Sequence, residues 1–427
     1  MHSLKAGFRA ALSAAAVGVA ALLVAGNAAA QQTTVNFLGA SAADAFAPVI
    51  KAFETANPGI KVRYQQVPFD DLNVAVESRV GQGDSTIDIF AADTPRIPAF
   101  AAKGYLLGLD SYRGQFEKMA STSVDVEQVS HKGKIYAFPM WNSTQLMVYN
   151  RDLLKKAGIA APGAAKEARL TWEQLLDQAR LAQKAGAKWG AMFEQVDRFY
   201  QLQPLFESAG AGPGLKGEGL LQPDLLGEPW VKTAQWYADL FESGIAPRGV
   251  SPAQTKDLFI NGELAFFVGG PWILASLEAT KGLNFGVAPM PYFKGGKPVT
   301  PTGSWALALN PKAANLEAAR KFAEFATLSE EGAYLTVSVL PLPPVNKAAM
   351  GRYADRFKKL SEKTGPIMDI IGYETRETAV GRPRTIGYVA FETVMNRAFS
   401  DIRNGAKVRA TLQQAQDQLT PMLARIR

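Results

Sequence analysis

The sequence predicts an α/β fold with mainly parallel sheets flanked by helices, and three observations carry that prediction. After residue 30 the chain opens with strand and helix patterns in alternation, the mark of strands joined by crossover helices. Of its 427 residues 47% are hydrophobic, enough for a sizeable core, and single cores stop growing near ~250–300 residues, so two are expected. There is no cysteine, so no disulfide staples the chain and the fold rests on those cores.

The elements follow in order. Val35-Asn36-Phe37-Leu38-Gly39 is a short apolar strand, and Ala40-Ser41-Ala42-Ala43 is a small-residue turn. Phe46, Val49, Ile50 and Phe53 recur at helical spacing until Asn57-Pro58-Gly59 stops the helix. Ile60, Val62 and Tyr64 alternate as a second strand. Asp70 can cap a helix carrying Leu72, Val76 and Val80, and Ile87–Ala91 is a third, buried strand. Further on, Lys134–Asn142 leads to a strand over Gln145–Tyr149. Thr171 with Gln174 makes a capping box ahead of an amphipathic helix bearing Trp172, Leu175, Leu176 and Ala179. Helical patterns over Trp230–Phe241 and Thr255–Asn261 precede the apolar strand Ala265–Val268, which runs into Gly269-Gly270-Pro271-Trp272. Phe285–Ala288 and Trp305–Leu309 read as strands, and helices over Leu316–Leu328 and Val408–Leu423 close the chain.

The first thirty residues predict export. Lys5 and Arg9 form a positive start, Ala10–Ala25 is an uncharged small-apolar run, and Ala28-Ala29-Ala30 supplies the small-x-small cleavage pattern, with Gln31 as the mature start. The run is short for a membrane span, which takes about 20 strongly apolar residues. An anchor helix left uncleaved is the rival reading. A lipid anchor would need a cysteine at the cleavage point, and there is none.

Composition narrows the chemistry. The formal net charge is +7, and loss of Lys5 and Arg9 lowers it by two, with both signs spread along the chain. Such a surface leaves an anionic ligand open but is no nucleic-acid footprint. GxxxxGK[ST] and GxSxG are absent, and no serine is followed three residues later by lysine. His131 is the only histidine beyond the first thirty residues, in the polar run Ser130–Gly133, and reads as an exposed turn residue. A multi-histidine metal site is therefore excluded, and neither a metal nor a cofactor is expected. Asp70-Asp71 and Glu330-Glu331 are adjacent pairs whose side chains point apart. A glycosidase, with two carboxylates facing across a sugar, stays open as a rival.

Several stretches together resemble the extracellular solute-binding proteins of ABC importers, the large family that includes the maltose-binding proteins. They are FAPVIKAFETANPGIKVRY (Phe46–Tyr64), DIFAADTPRIPAFAAKGYLLGL (Asp88–Leu109), GKIYAFPMWNSTQLMVYNRDLLKKAG (Gly133–Gly158), FINGELAFFVGGPWIL (Phe259–Leu274), NFGVAPMP (Asn284–Pro291) and the helix Ala318–Leu335 ending LSEEGAYL. The resemblance implies a two-lobed periplasmic binding protein fold of type II, with a hinge between the lobes. It places crossings near Pro139–Asn142, Ala288–Pro291 and Leu340–Val345. Lobe one is then 31–140 with 290–340, and lobe two 141–289 with 341–427.

It also implies a non-enzymatic periplasmic protein, monomeric, that hands a carbohydrate to transmembrane permease subunits and binds no nucleic acid. A pyranose offers apolar faces and a fringe of hydroxyls, so its site needs flat aromatic rings and planar polar groups. Trp272 matches a sugar-stacking tryptophan of the relatives, and Trp141 and Trp305 lie at loop ends where the fold opens on its cleft. Trp172, Trp189, Trp230 and Trp236 read as packing residues. Polar candidates are the backbone of Gly39-Ala40-Ser41, Asp93 with Thr94, Asn142, Gly303-Ser304, Glu194, Asp197 and Tyr200. Arg382 and Arg384, with Tyr388 nearby, can fork onto a carboxylate or phosphate. Departures at Ser143 and at Phe90-Ala91-Ala92 speak against maltose itself. They keep monosaccharides, other oligosaccharides, polyols, a sugar phosphate such as glycerol 3-phosphate and another small non-sugar solute such as a polyamine or an organic anion open.

Overall fold

Among the described residues, the longer strands form two large sheets, alongside three two-stranded ones. In a computed structural model describing residues 32–340 and 342–426, nine strands build the two large sheets. They are β1 (Thr33–Gly39), β2 (Ile60–Gln66), β3 (Ile89–Asp93), β4 (Phe138–Asn142), β5 (Leu146–Asn150), β6 (Trp189–Phe193), β7 (Leu264–Gly269), β8 (Phe285–Pro289) and β9 (Ser304–Leu309). The predicted export segment lies outside the described residues. The first sheet runs β2-β1-β3-β9-β4 and the second β8-β5-β7-β6.

The α/β class holds, but the sheets are mixed rather than mainly parallel. β1 is parallel to β2 and β3, and β7 to β6. β9 is antiparallel to β3 and β4, and β5 to β7 and β8. The reason is the route of the chain. Helical crossovers return the early strands in one direction, whereas β5 and β9 start at the edge where their neighbours end. Local periodicity registers the crossovers and not these distant entries.

Local signals explain most elements. Helix Ala47–Ala56 buries Val49 and Phe53, and Asn57 ends it by donating both its backbone N–H and its side-chain amide to the Phe53 carbonyl. The Thr171/Gln174 capping box forms, each side chain accepting from the other's backbone N–H at 3.2 and 2.9 Å; such a cap stabilises a helix by about 1 kcal/mol. The third strand starts two residues later than its apolar run. Asp88 is buried and accepts the backbone N–H groups of Asn36 and Asn315, and the Ile87 carbonyl accepts from Asn310. The Asp88 backbone also bonds both neighbours, the N–H donating to the Asn36 carbonyl and the carbonyl accepting from Asn310, and the strand runs from Ile89 to Asp93. His131 is half-buried rather than exposed. It lies in a two-residue hairpin with Lys134, whose turn takes Lys132 and Gly133 to φ +48° and +76°.

The segment around Leu340–Val345 stays with the first sheet. Asn142 donates its N–H to the Pro343 carbonyl, and Val345 donates to Met140. Asn346 then bonds the carbonyls ending helix Leu316–Leu328. Further along, helices Lys358–Thr364 and Ile367–Tyr373 pack on β8 of the second sheet. The last two helices, Tyr388–Arg403 and Val408–Ala424, pack on each other and on Glu228–Glu242. Among the described residues no helix is long and apolar enough to cross a membrane.

Candidate functional site

The ends of β1, β3, β4 and β7, the start of β9 and the turn after β6 converge on one cavity of about 250 Å³. Its walls include Ala40, Ser41, Asp93, Trp141, Tyr200, Trp272, Gly303, Trp305 and Arg382, all anticipated from the sequence. Sheet register explains why three of these meet. Trp305 on β9 is the cross-strand partner of Asp93 on β3 and of Trp141 on β4, so one row of the first sheet presents all three at its edge.

Each aromatic wall is held differently. Trp141 is 2% exposed and stacks on Phe46 with ring centres 5.9 Å apart. Its indole nitrogen is buried and lacks a hydrogen-bond partner among the described residues, an unmet donor that costs about 1–3 kcal/mol. Trp272 follows Gly270, where a Cβ would lie 1.9 Å from the indole ring, so only glycine lets the ring fold back there. Trp305 meets the half-exposed Phe69 edge-on at 5.9 Å, and the Arg198 guanidinium sits 6.0 Å from the centre of that same Phe69 ring.

Ser143 is the polar node of the site. Its hydroxyl donates to the Gly303 carbonyl at 2.7 Å and accepts the Gly303 N–H at 3.0 Å. The Tyr200 hydroxyl lies 2.6 Å away, and since the one serine proton is already used, tyrosine is the donor. Gly303 is required by proximity. A Cβ there would meet the Tyr200 ring at 2.8 Å and Arg382 at 3.1 Å. Burial pushes the Tyr200 phenol up to about 12, so it stays a neutral donor.

Beside Tyr200 lies a closed cluster of two arginines and two carboxylates. Arg382 donates to both oxygens of Asp93, one at 2.7 Å, and approaches Glu392 at 3.4 Å. Arg96 donates to Asp93 and Glu392, and the Tyr388 hydroxyl donates to Glu392 at 2.9 Å. All four side chains are 10% exposed or less. Burial alone would depress the Arg382 guanidinium, but Asp93 and Glu392 beside it hold its pKa well above the ordinary value.

Other anticipated residues stand back from the cavity. Gly39 is covered by Tyr64, whose ring a Cβ would strike at 2.8 Å, and the Tyr64 hydroxyl braces the turn at the Ser41 carbonyl. Thr94 is buried and bonds Gln128. Asn142 donates to Asp125, and Tyr388 is fully buried under Glu392. Asp197 pairs with Arg403 at 3.0 Å. Arg384 turns to Glu127 and the Ser130 carbonyl, away from Arg382. Ser304 begins β9 beside Gly303. Glu194 is not part of the wall; burial raises its carboxyl to about 7, although the Trp272 side chain and Gln195 hydrogen-bond to it. Trp172 and Trp230 are interior, the latter stacked on Phe206 at 3.8 Å.

The wall also contains Phe69, Ser143, Gln195, Arg198, Leu340, Leu342 and Glu392, which were not singled out as ligand contacts. Phe69 directly precedes the Asp70-Asp71 pair, and Ser143 had been noted only as a departure. Glu392 sits mid-helix, four residues after Tyr388, and nothing local marks it. Among the described residues no group of three or more metal-ligating side chains occurs.

The model of the family described as bacterial extracellular solute-binding protein matches residues 39–333. The maltodextrin-binding protein MdxE of Bacillus subtilis (strain 168) is 25% identical over 300 residues, 66% of this chain and 66% of that one. The sn-glycerol-3-phosphate-binding periplasmic protein UgpB of Brucella abortus (strain 2308) is 24% identical over 291 residues, 64% of each. The fold matches that of the ABC substrate-binding protein Lmo0181 from Listeria monocytogenes, solved in complex with cycloalternan. The TM-score is 0.79 at 21% identity, covering 92% of this chain and 99% of that one.

Proposed function

This chain belongs to the bacterial extracellular solute-binding protein family, and from that premise we propose that its cavity captures a carbohydrate and presents it to the membrane subunits of an ABC importer. The observation that carries this reading is the wall itself. Three tryptophans, Tyr200 and Phe69 surround one cavity whose other lining includes the neutral polar groups Ser41, Ser143 and Gln195. Flat rings cover the apolar faces of a sugar and the polar groups meet its hydroxyls. The relative MdxE, a maltodextrin-binding protein, supports the same class.

The two sheets form the two lobes, drawn as 31–140 with 290–340 and 141–289 with 341–427, except that the third crossing is drawn ahead of helix Lys358–Thr364, which packs on β8. Ligand touching both lobes stabilises their closed arrangement by the contacts it makes only there, and closure is what the permease reads. The protein acts as an exported monomer freed of residues 1–30, without a lipid anchor, and turns nothing over. A second reading, a sugar phosphate, is favoured by Arg198 in the wall and by the relative UgpB.

A thermal-shift screen of residues 31–427 against neutral sugars, polyols and sugar phosphates tests the proposal. Ligand at 100 times its dissociation constant stabilises by about 2.7 kcal/mol, a shift of a few degrees at this size. A shift with a neutral sugar that Trp272→Ala abolishes supports it. No shift with any sugar removes the carbohydrate reading.

A further inference from the structure

We infer that the four-ion cluster at the cavity wall makes this site selective for uncharged solutes, so that phosphorylated sugars and polyols are rejected. The inference rests on the reading of the cavity as the ligand site and decides between its two candidate ligand classes. An arginine recognises phosphate by offering parallel N–H groups in an open fork. Arg382 offers none. Both of its terminal nitrogens donate to Asp93, and one of them also approaches Glu392 and the Tyr388 hydroxyl, both at 3.4 Å. The guanidinium carbon lies 4.8 Å from the Tyr200 ring centre and 5.7 Å from that of Tyr388.

Charge leads to the same conclusion. Asp93, Glu392, Arg382 and Arg198 line the cavity, two of each sign, and Arg96 behind them donates to both carboxylates. A phosphate entering here would lie against Asp93 and Glu392 with no guanidinium free of them in the cluster. Arg198, the remaining cation of the wall, lies by Asp197 at 4.0 Å and over Phe69. Like charges brought together in a desolvated site cost several kcal/mol. A neutral hydroxyl-bearing ligand pays no such cost and can use Ser41 and Gln195.

The test is a titration of the full mature chain with glucose, galactose, maltose and glycerol, then with glucose 6-phosphate, galactose 1-phosphate, glycerol 3-phosphate and inorganic phosphate. Expected is binding of a neutral member with its phosphate ester at least about 100-fold weaker. Asp93→Asn opens the Arg382 fork and leaves the cluster one positive charge in excess. It is expected to gain saturable binding of inorganic phosphate that the wild type lacks, and Glu392→Gln is expected to do the same. Circular dichroism establishes that each variant is folded, and the wild-type comparison needs no variant. Wild-type binding of a phosphate ester as tight as its neutral parent overturns the inference while leaving the cavity as the ligand site. So does a folded Asp93→Asn and a folded Glu392→Gln that both ignore phosphate. If no neutral member binds, the carbohydrate reading falls, and phosphate binding gained only in the variants still supports the closed fork.

Discussion

Asp93 holds Arg382 through both carboxylate oxygens although the two residues lie 289 positions apart in the chain. The pair joins the end of β3 to the loop ahead of helix Tyr388–Arg403, at the wall of the cavity. It is therefore both a tie between distant segments and a boundary of the ligand site. Arg96 and Glu392 complete the charge balance.

Arg96→Leu leaves two buried carboxylates facing one guanidinium. Breaking a buried pair by removing one partner costs about 3–5 kcal/mol, whereas replacing both partners by apolar groups is far milder. Urea denaturation should place Arg96→Leu well below the wild type and the double variant Arg96→Leu/Glu392→Leu above the single one. A single variant within experimental error of the wild type would show that the cluster contributes nothing to the fold.

Gly303→Ala pushes a methyl into the Tyr200 ring and Arg382. Overpacking of this kind costs about 1–3 kcal/mol, and because Ser143, Tyr200 and Arg382 all shift, ligand affinity should fall with stability. Gly381→Ala is the control, since a Cβ there meets nothing within 4 Å; it should stay within about 0.5 kcal/mol of the wild type. Equal behaviour of the two variants in thermal melts and titrations would contradict the close approach at Gly303.

Glu194 gives stability a pH dependence of defined sign. Burial raises its carboxyl from the usual 4.5 to about 7, so the folded state holds the proton more tightly than the unfolded one. Its contribution is then complete below about pH 4.5 and is lost as pH rises through about 7, on the order of 3 kcal/mol in all. Glu194→Gln keeps an acceptor for Trp272 and cannot ionise. Its melting temperature relative to the wild type should climb between pH 4.5 and 8. Parallel curves across that range would mean that Glu194 titrates normally.

Much of the fold was legible in the sequence because its signals are local. The Thr171/Gln174 cap, the Asn57-Pro58-Gly59 stop and the apolar strands each depend on residues close in the chain. The mixed sheets were not, because the direction of β5 and β9 depends on where a distant segment re-enters. The same divide runs through the site. Trp141, Trp272 and Trp305 stand beside strand ends and turn glycines, which can be read in one dimension. Arg382 was read as an open anion fork, and only the fold brings Asp93, Arg96 and Glu392 to occupy it. Glu194, expected as a ligand contact, is absent from the cavity wall and hydrogen-bonds the Trp272 side chain instead.

On the proposed reading, aromatic walls hold a neutral sugar in the cavity between the two sheets. Isothermal titration of the sugar giving the largest thermal shift, against the wild type and Trp272→Ala, Trp305→Ala and Trp230→Phe, tests it most directly. Stacking on each cavity ring contributes about 0.5–1.5 kcal/mol beyond the area it covers, so the two cavity variants should each lose about tenfold in affinity or more. Trp230→Phe, altered only in the interior, should bind as the wild type does. Unchanged affinity in both Trp272→Ala and Trp305→Ala would place the sugar somewhere other than this cavity.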